Sequence, residues 1–448
     1  MKLLIPAAAV VLGLLSLAAQ AGEKQPNFVF IMADDLGWAD VAFHGGNAPT
    51  PNLDRLLASS LELTQHYVAP LCSPTRAGLL TGRHWSRFGI TSPTNERALA
   101  WDTVTLPLAL QSVGYDTCLT GKWHLGSSPE CGPNHFGFKH SYGSLAGGVG
   151  PWNHRYKKGP YSVTWHRNET LLVESGHVTD LLTREAVRWI RDRDERPFFL
   201  YVPFTAVHLP IKEPEEWLSR VPATIEDQGV AREYAASVMH LDAAVGEIVS
   251  ALEQSGKRDN TLLVFTSDNG SSNAENNDTR YPDDVYLTGK LTGNNAPFRG
   301  GKGQLYEGGI RVPTIISWPG KLKAGRCDVP LHITDWMPTF CSLASYAAKK
   351  DLKWDGINIW PTLTNSLPRI SHPLYWAGPD FRSRALRDGD WKLITHQGLD
   401  GKQIELFNLR DDPEETNNLS VVEAEQVGVL KAKMAMIAHS DGDAVVTD

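Results

Sequence analysis

The sequence has no extended block of basic residues. Its 43 Lys and Arg residues are outnumbered by 51 Asp and Glu residues, which gives a formal net charge of -8. A nucleic-acid or anionic-membrane partner requires clustered positive charge, so neither is expected as the main partner. Low-complexity tracts and an internal repeat are also missing, and the 42% hydrophobic content is that of a folded chain. A length of 448 residues predicts one large domain with a smaller appended one.

Long apolar runs are scarce as well, and the clear example is at the N-terminus. Residues 1–21 combine the early Lys2, an apolar run and small residues at A-x-A spacing that end at Ala21. This pattern is typical of a cleaved signal peptide. The run is short for a membrane span and is interrupted by Pro6 and Gly13, which favours cleavage over anchoring. We therefore expect an exported protein, secreted or periplasmic, with no membrane anchor after cleavage.

Cysteine is rare, and the number of cysteines is odd. The chain has five, at positions 72, 118, 131, 327 and 341. In an exported protein an odd count leaves at least one cysteine unpaired or chemically special, and Cys72 is our candidate. Two disulfides in any of three connectivities remain open for Cys118, Cys131, Cys327 and Cys341. Cys118 lies in an apolar stretch, so a buried free thiol is an equal alternative there.

Apolar segments of strand length alternate with amphipathic helical segments along most of the chain. Strands are predicted at 27–32, 117–120, 198–204, 261–266 and 314–317. Helices are predicted at 105–113, 178–193, 234–256 and 333–345. This alternation predicts an α/β fold with a mainly parallel sheet between two layers of helices.

The pattern changes towards the C-terminus. Residues 22–350 form the predicted main domain, and 351–372 read as a linker punctuated by Pro and Gly. Residues 373–448 are predicted to form a small α+β subdomain, with strands at 373–376, 385–386 and 391–395 and a final helix at 421–438. Few acidic or His residues cluster there, so we expect this subdomain to shape a cleft and to supply little chemistry.

Two polar pairs follow predicted strands directly. Asp34 and Asp35 come after the first strand, and Asp268 and Asn269 follow the strand at 261–266. Ligands collect beyond the carboxyl ends of strands in open α/β sheets, and oxygen side chains suit a hard cation such as Ca²⁺ or Mg²⁺. Taken alone, either pair would be better explained as turn capping.

Cys72 is predicted to lie at a helix N-terminus. Pro74 is well placed in the first turn of a helix, so backbone N–H groups and the helix dipole would favour negative charge at Cys72. These features predict a thiolate with a low pKa. A soft thiolate is nevertheless a poor companion for hard oxygen ligands, and the residues alone do not resolve this mismatch.

The C-x-P-x-R element from Cys72 to Arg76, followed by Leu-Thr-Gly-Arg, resembles the signature of type I sulfatases of the alkaline phosphatase superfamily. In that family the Cys is oxidised to formylglycine by a maturation enzyme. Companion motifs occur in family order at Asp34-Asp35, Gly121–Gly126, Val207-His208, Ser267–Gly270, Gly301–Gly303 and Tyr306–Gly309. The resemblance covers almost the whole mature chain and implies an alkaline-phosphatase-like fold and a sulfuric ester hydrolase.

The resemblance also implies how the metal is held. An aldehyde at position 72 hydrates to a geminal diol, whose oxygen is a hard ligand, so the mismatch with a soft thiolate disappears. Arg76 is implied to hold this diol. The implied ligands of one Ca²⁺ ion, with Mg²⁺ as the alternative, are position 72 together with Asp34, Asp35, Asp268 and Asn269.

Catalytic roles are implied in the same way. One diol oxygen, deprotonated by a carboxylate such as Asp35, attacks sulfur, and the candidates for protonating the leaving oxygen are His208 and Lys302. His124 then deprotonates the second hydroxyl, which releases sulfate. Lys122 and Lys302 would hold the sulfate oxygens. Taken singly, four of the candidates also have an ordinary structural explanation: Lys122 as a solvated residue, His124 and His208 as core histidines, and Arg76 as part of a helix ion pair.

Within the family, segments 199–219, 242–246 and 293–300 look most like the arylsulfatase B, or N-acetylgalactosamine-4-sulfatase, branch. This implies O-sulfated galactose or N-acetylgalactosamine sugars of a polysaccharide, such as a glycosaminoglycan. Segments 84–104 and 141–177 are predicted to line the sugar sites, although packing is the competing explanation for their large side chains. The candidates in them are Trp85, Arg87, Arg97, Trp152, His154, Trp165, His166 and Arg167.

Three other functions stay open at this point. A phosphonate or phosphate ester hydrolase of the same superfamily would use the same diol. A thiol or redox protein would use Cys72 unmodified. A non-catalytic binder of sulfated glycans is the third, although it would have no need of a regenerable nucleophile.

Overall fold

The computed structural model describes residues 24–225, 229–365, 372–397 and 403–446. The signal peptide predicted at 1–21 lies outside these ranges and stays a prediction. Sixteen strands are described in these ranges, and those of six or seven residues inside the main domain are fully buried. The strands are β1 (Asn27–Ala33), β2 (Leu61–Leu63), β3 (His66–Tyr67), β4 (Asp116–Lys122), β5 (His140–Ser144), β6 (Trp165–Arg167), β7 (Thr170–Leu171), β8 (Phe198–Pro203), β9 (Thr261–Ser267), β10 (Ile315–Ser317), β11 (Gly325–Cys327), β12 (Leu331–His332), β13 (Leu374–Ala377), β14 (Ser383–Asp388), β15 (Trp391–His396) and β16 (Gln403–Asn408).

The described residues also form ten α-helices, from single turns to a helix of 25 residues. They are α1 (Pro51–Ala58), α2 (Cys72–Thr81), α3 (Leu106–Gln111), α4 (Val178–Arg191), α5 (Glu215–Leu218), α6 (Val230–Gln254), α7 (Glu307–Ile310), α8 (Trp336–Leu343), α9 (Trp360–Leu363) and α10 (Ala424–Ala438).

A ten-stranded sheet organises the main domain, in the order β11-β2-β10-β9-β1-β8-β4-β5-β6-β7. The five strands from β9 to β5 pair in parallel, and antiparallel strands flank them. Side chains of β1 alternate between two cores: Phe28 packs on one face of the sheet, and Val29 on the other. The predicted α/β fold with a mainly parallel sheet is therefore confirmed.

Helix α6 is long and apolar enough to cross a membrane by length and composition, but it is a helix of the core. It packs against α1, α4 and α5, and the Val238, Leu241 and Val245 side chains are buried against the sheet. The periodic apolar positions that predicted this helix therefore mark its buried face.

A separate antiparallel sheet, β13-β14-β15-β16, carries α10 on one face. Strand β16 was not predicted, because the polar Gln403, Glu405 and Asn408 interrupt its apolar pattern. The other face joins the main core, where Lys392 donates to Glu307 at 2.9 Å and pairs with Glu415 at 2.8 Å. This buried ion cluster fixes the sheet on the main domain.

Other predicted elements differ in detail. The helix predicted at 333–345 is divided into a 3₁₀ turn, Ile333–Asp335, and α8, and the predicted linker contains α9. All five cysteines lie in the described residues and none forms a disulfide. The two disulfides that the sequence left open among the other four cysteines are therefore not formed in the structure. Cys118 is a buried free thiol, as the alternative predicted.

Candidate active site

Four parallel strands end at one edge of the sheet, and each delivers predicted site residues there. Lys122 ends β4, and His124 follows two residues later. The turns after β1, β8 and β9 carry the others, because parallel strands present their carboxyl ends together. These residues are Asp34 and Asp35 after β1, His208 after β8, and Asp268 and Asn269 after β9.

The first turn of α2 is fastened to the same edge by successive side chains of the C-x-P-x-R element. Ser73 Oγ donates to the carbonyl oxygen of His124 at 2.8 Å. Thr75 Oγ1 donates to the carbonyl oxygen of Asp268 at 2.6 Å. Cys72 is thereby held as the first residue of α2, over the strand ends.

Arg76 completes this attachment. Its guanidinium donates to the carbonyl oxygen of Lys122 and to Asp268 Oδ2, both at 2.8 Å. The side chain is fully buried, and its Nε has no hydrogen-bond partner within the described ranges. In the structure Arg76 orients Asp268 and joins two strand ends, and its role in holding a diol at position 72 stays a prediction.

Asp34 is buried and paired on one oxygen only. Its Oδ2 accepts a hydrogen bond from Lys122 Nζ at 2.6 Å, whereas its Oδ1 is buried without a partner. Burial, followed by the negative charge of Asp268, raises the pKa of Asp34 well above its usual value despite Lys122. An additional positive charge at the free oxygen would therefore stabilise the carboxylate.

Asp35 has more side-chain partners than Asp34. Its carboxylate accepts from Lys302 Nζ and from Asn269 Nδ2, both at 2.7 Å, and His208 Nε2 lies 3.8 Å from its Oδ2. Burial acts to raise the pKa of Asp35, but the charge and hydrogen bond of Lys302 together with other nearby positive groups such as Lys122 outweigh it, and the pKa falls to about 2. Asp35 is therefore ionised at neutral pH.

The residues present fit a hard divalent cation. Asp34 Oδ1 and Asn269 Oδ1 are both buried oxygens without a hydrogen-bond partner in the described part of the chain, and both belong to the predicted ligand set. The set offers oxygen ligands only, as Ca²⁺ and Mg²⁺ prefer. Asp34, Asp35 and His208 also have ligand atoms within 4.8 Å of one another. His208 was not predicted as a ligand, and a nitrogen donor is less suited to these ions than the oxygens.

The low-pKa thiolate predicted at Cys72 is wrong. Burial raises the pKa of the thiol, and the positive charges of Lys122 and Lys302 do not offset it. Cys72 does lie at a helix N-terminus, but the residue is only 2% exposed, and the negative charges of Asp268 and Asp34 raise the pKa of its thiol further. An unmodified Cys72 would thus be protonated and a poor nucleophile.

Both candidate histidines are neutral. Burial, and then nearby cations such as Lys122 for His124 and Lys302 for His208, lower the pKa of each well below its usual value. His124 Nδ1 has no partner. His208 Nδ1 donates to the carbonyl oxygen of Leu209, so the neutral ring has no proton on Nε2. The carboxylate of Asp35 raises the pKa of Lys302 against the effect of burial, so Lys302 is a cation.

A glycine-rich loop next to the histidines was missed by the sequence analysis. A methyl group on Gly147 would lie 2.3 Å from His124 Nε2, and one on Gly148 would lie 2.8 Å from Tyr281 Oη. These contacts join segments that are far apart in the chain. The Gly-Gly doublet at 147–148 was the available signal, and nothing in the sequence around Tyr281 pointed to the site.

The sugar-lining candidates are mostly structural. Trp85, Trp165 and His166 are fully buried in the hydrophobic cores or the sheet, and His154 stacks on Trp165 at 4.6 Å between ring centroids. Arg87 and Arg167 are bound to carboxylates. Trp152 is 39% exposed and is free to contact a ligand. Packing, the competing explanation, therefore accounts for most of this group.

Comparison with known proteins agrees with this architecture. A family model described as sulfatase matches residues 26–346, and one described as N-sulphoglucosamine sulphohydrolase, C-terminal, matches residues 301–439. Arylsulfatase J of Mus musculus is 32% identical, over 96% of this chain and 78% of that protein. N-acetylgalactosamine-6-sulfatase of Rattus norvegicus is 33% identical, over 84% of this chain and 72% of that protein.

A solved structure extends the likeness to three dimensions. The crystal structure of Ps i-CgsB in complex with k-i-k-neocarrahexaose superposes with a TM-score of 0.83 at 30% identity, covering 95% of each chain. Sequence and structure therefore match over nearly the whole length of the protein. The chain belongs to the sulfatase family and is a sulfuric ester hydrolase.

Proposed function

We propose that the protein is exported and removes sulfate from O-sulfated galactose or N-acetylgalactosamine sugars of a polysaccharide. One relative is named for N-acetylgalactosamine-6-sulfate, and the solved relative holds neocarrahexaose, which supports a sulfated sugar. The predicted signal peptide at 1–21 supports export. The assignment to the arylsulfatase B branch stays a prediction, and the sulfated position on the sugar is left to the assay below.

One observation carries the catalytic part of this proposal. The carboxyl ends of neighbouring strands and the first turn of α2 surround Cys72 with buried carboxylates and lysines. Two of the surrounding oxygens, Asp34 Oδ1 and Asn269 Oδ1, have no partner. Such a site is costly to leave without a cation, and it suits a sulfate ester bound next to that cation.

We propose Ca²⁺ as the metal and formylglycine as the residue at position 72. Asp34, Asp35, Asp268 and Asn269 would hold the ion, which would supply Lewis-acid polarisation of the sulfate group. The hydrated aldehyde would supply a hydroxyl nucleophile that a thiol of raised pKa does not. Arg76 would keep Asp268 in place, because it already binds that carboxylate.

The protonation states of the lysines and histidines indicate which of them would bind sulfate and which would transfer protons. Lys122 is buried and Lys302 is partly exposed, and both pair with the proposed metal-binding carboxylates, so they would attract and orient the sulfate oxygens. His124 is neutral with an unpartnered nitrogen, so it would accept a proton during sulfate release. Of the two candidate acids, Lys302 carries a proton at neutral pH, whereas His208 Nε2 has none. Lys302 is therefore our candidate for protonating the leaving oxygen.

The modification is tested by mass spectrometry of the peptide that contains residue 72 in active protein. We expect the thiol to be replaced by an aldehyde, and we expect Cys72→Ala to abolish turnover without changing the Tm. Cys131→Ala is a matched control, since Cys131 is also unpaired, and it should stay active. An unmodified thiol in fully active protein would contradict the proposal.

The substrate is tested by measuring sulfate release from a panel of sulfated mono- and oligosaccharides, alongside aryl sulfate and aryl phosphate esters. Sulfated galactose-type sugars should be the best substrates. A preference for the phosphate ester would assign the protein to the other hydrolases of the superfamily. N-terminal sequencing of protein recovered from outside the cytoplasm should begin after Ala21.

A further inference from the structure

Tyr281 places an unpartnered hydroxyl next to the candidate catalytic residues. The side chain is 3% exposed, and its Oη has no hydrogen-bond partner among the described residues. A methyl group on Gly148 would lie 2.8 Å from this Oη and 3.3 Å from His208 Nδ1. The hydroxyl and the His208 ring thus border the same glycine. A buried hydroxyl is costly to leave unpaired, which points to a partner supplied by a ligand.

Lys157 adds a positive charge next to Tyr281, and these two side chains define one corner of the site. Its Nζ lies 5.5 Å from the ring centroid of Tyr156 and 5.8 Å from that of Tyr281. Its counterion is distant and shared: Asp278 Oδ2 is 3.9 Å away and already accepts from Arg280 at 2.7 Å. About a quarter of the side chain is exposed, at 26%. Lys157 is therefore available to a negatively charged group that enters from solvent.

The cations of the candidate active site also act on Lys157. Burial, and then Arg280, lower the pKa of Lys157, and Lys302 and Lys122 contribute in the same direction. Lys122, Lys302 and Arg280 each donate to a carboxylate at 2.7 Å or less, whereas the nearest carboxylate oxygen printed for Lys157 is 3.9 Å away. Lys157 is therefore the cation of this group that an added anion would pair with most readily.

Two loops hold these groups in fixed positions. Lys158 N donates to the carbonyl oxygen of Arg280 at 2.7 Å, and Asn153 Nδ2 donates to that of Pro282 at 2.8 Å. The loop that carries Lys157 is thus bound to the loop that carries Tyr281. Groups positioned in this way can select a substrate, because little ordering is required when it binds.

We propose that Tyr281 and Lys157 form a specificity pocket for the sugar that carries the scissile sulfate, and that this pocket selects sugars with a second anionic substituent. The Tyr281 hydroxyl bonds to a sugar oxygen, and the Lys157 ammonium pairs with a second sulfate or a carboxylate. This inference rests on the proposed function, and it narrows the substrate class to multiply charged glycans.

The test compares three substrates of the matured, metal-loaded enzyme: a monosulfated galactose disaccharide, its disulfated counterpart and 4-nitrophenyl sulfate. Tyr281→Phe should lower kcat/KM roughly tenfold on both sugars, the value of one hydrogen bond, and less than about twofold on the aryl ester. Lys157→Met should lower it roughly tenfold on the disulfated sugar alone. Calorimetric binding of the same sugars to the Cys72→Ser protein should show the same pattern without turnover.

Two neighbouring residues give matched controls. Tyr286→Phe removes another buried, unpartnered hydroxyl, which lies next to Gly150 instead of His208. Lys158→Met removes an adjacent exposed charge. Both controls should leave the substrate preference unchanged.

The proposed pocket would be contradicted if Tyr281→Phe lowered kcat/KM equally on all three substrates. It would also be contradicted if Lys157→Met lowered kcat/KM equally on both sugars. If Tyr281→Phe lowers the Tm, the Lys157→Met comparison and the binding data decide alone. A wild-type enzyme that releases no sulfate from any sugar would refute the proposed function instead, and the two failures are thus distinguishable.

Discussion

Replacing Gly147 by Ala should remove most of the sulfatase activity and leave the fold intact. The added methyl group would lie 2.3 Å from Nε2 and 2.4 Å from Cε1 of His124. Because nonbonded heavy atoms rest at about 3.5 Å, the imidazole must move by roughly 1 Å. Gly147 is not among the glycines with positive φ, so Ala introduces no backbone strain. The conflict is therefore confined to the position of the His124 ring.

The size of the effect follows from that displacement. A misplacement of about 1 Å costs roughly a hundredfold in rate, and complete loss of a general base costs about 10²- to 10⁴-fold. We expect kcat/KM of Gly147→Ala to fall about a hundredfold or more and to approach that of His124→Ala. The double variant should lose no more than His124→Ala alone, because both changes remove the same group.

The assay is kcat/KM on an aryl sulfate for the two single variants and the double variant, with the Tm measured in parallel. Gly428→Ala is the control: no heavy atom lies within 4 Å of the added methyl, and the site is in α10. It should stabilise the helix by about 1 kcal/mol and keep full activity. Wild-type activity in Gly147→Ala, or multiplied losses in the double variant, would refute the role of His124.

The remaining predictions address the metal, the proton donor and the pH dependence of stability. Chelation should abolish activity, and Ca²⁺ or Mg²⁺ should restore it better than Zn²⁺; activity that survives verified demetallation would contradict the oxygen-ligand site. Lys302→Met should lower the turnover of a sulfated sugar roughly a hundredfold but that of an activated aryl sulfate much less, because a sugar alkoxide needs a proton to leave. His208→Gln should change the turnover of both substrates by the same factor. Burial acts to lower the pKa of His240, but hydrogen bonds to Asp180 and Glu213 raise it to about 9. Since this pKa exceeds the unfolded value of 6.5, the stabilisation is complete below pH 6.5 and is lost as the pH rises through 9. This stabilisation amounts to at most about 3 kcal/mol. The Tm difference between wild type and His240→Gln should therefore shrink between pH 6 and pH 10. A constant difference would contradict the ion pair.

Much of the fold was predictable because its signals are local. Buried strands such as β1 are short, continuous apolar runs, and α6 shows its buried face as a period of three and four residues. Strand β16 was missed because its polar residues hide the same signal. Whether the cysteines form disulfides was not predictable, since it depends on which distant segments meet.

The sequence by itself determined the site residues to consider, because the C-x-P-x-R element and its companions stand directly after strands whose carboxyl ends must converge in a parallel sheet. Only the tertiary structure decided their electrostatic state. The raised pKa of the Cys72 thiol, the neutral histidines and the cationic Lys302 all follow from burial and from charges contributed by distant segments. The same holds for packing: Trp165 and His166 became core residues, whereas Gly147 and Tyr281 came to border the site. Burial and long-range contact are properties of the folded chain, and no local pattern encodes them.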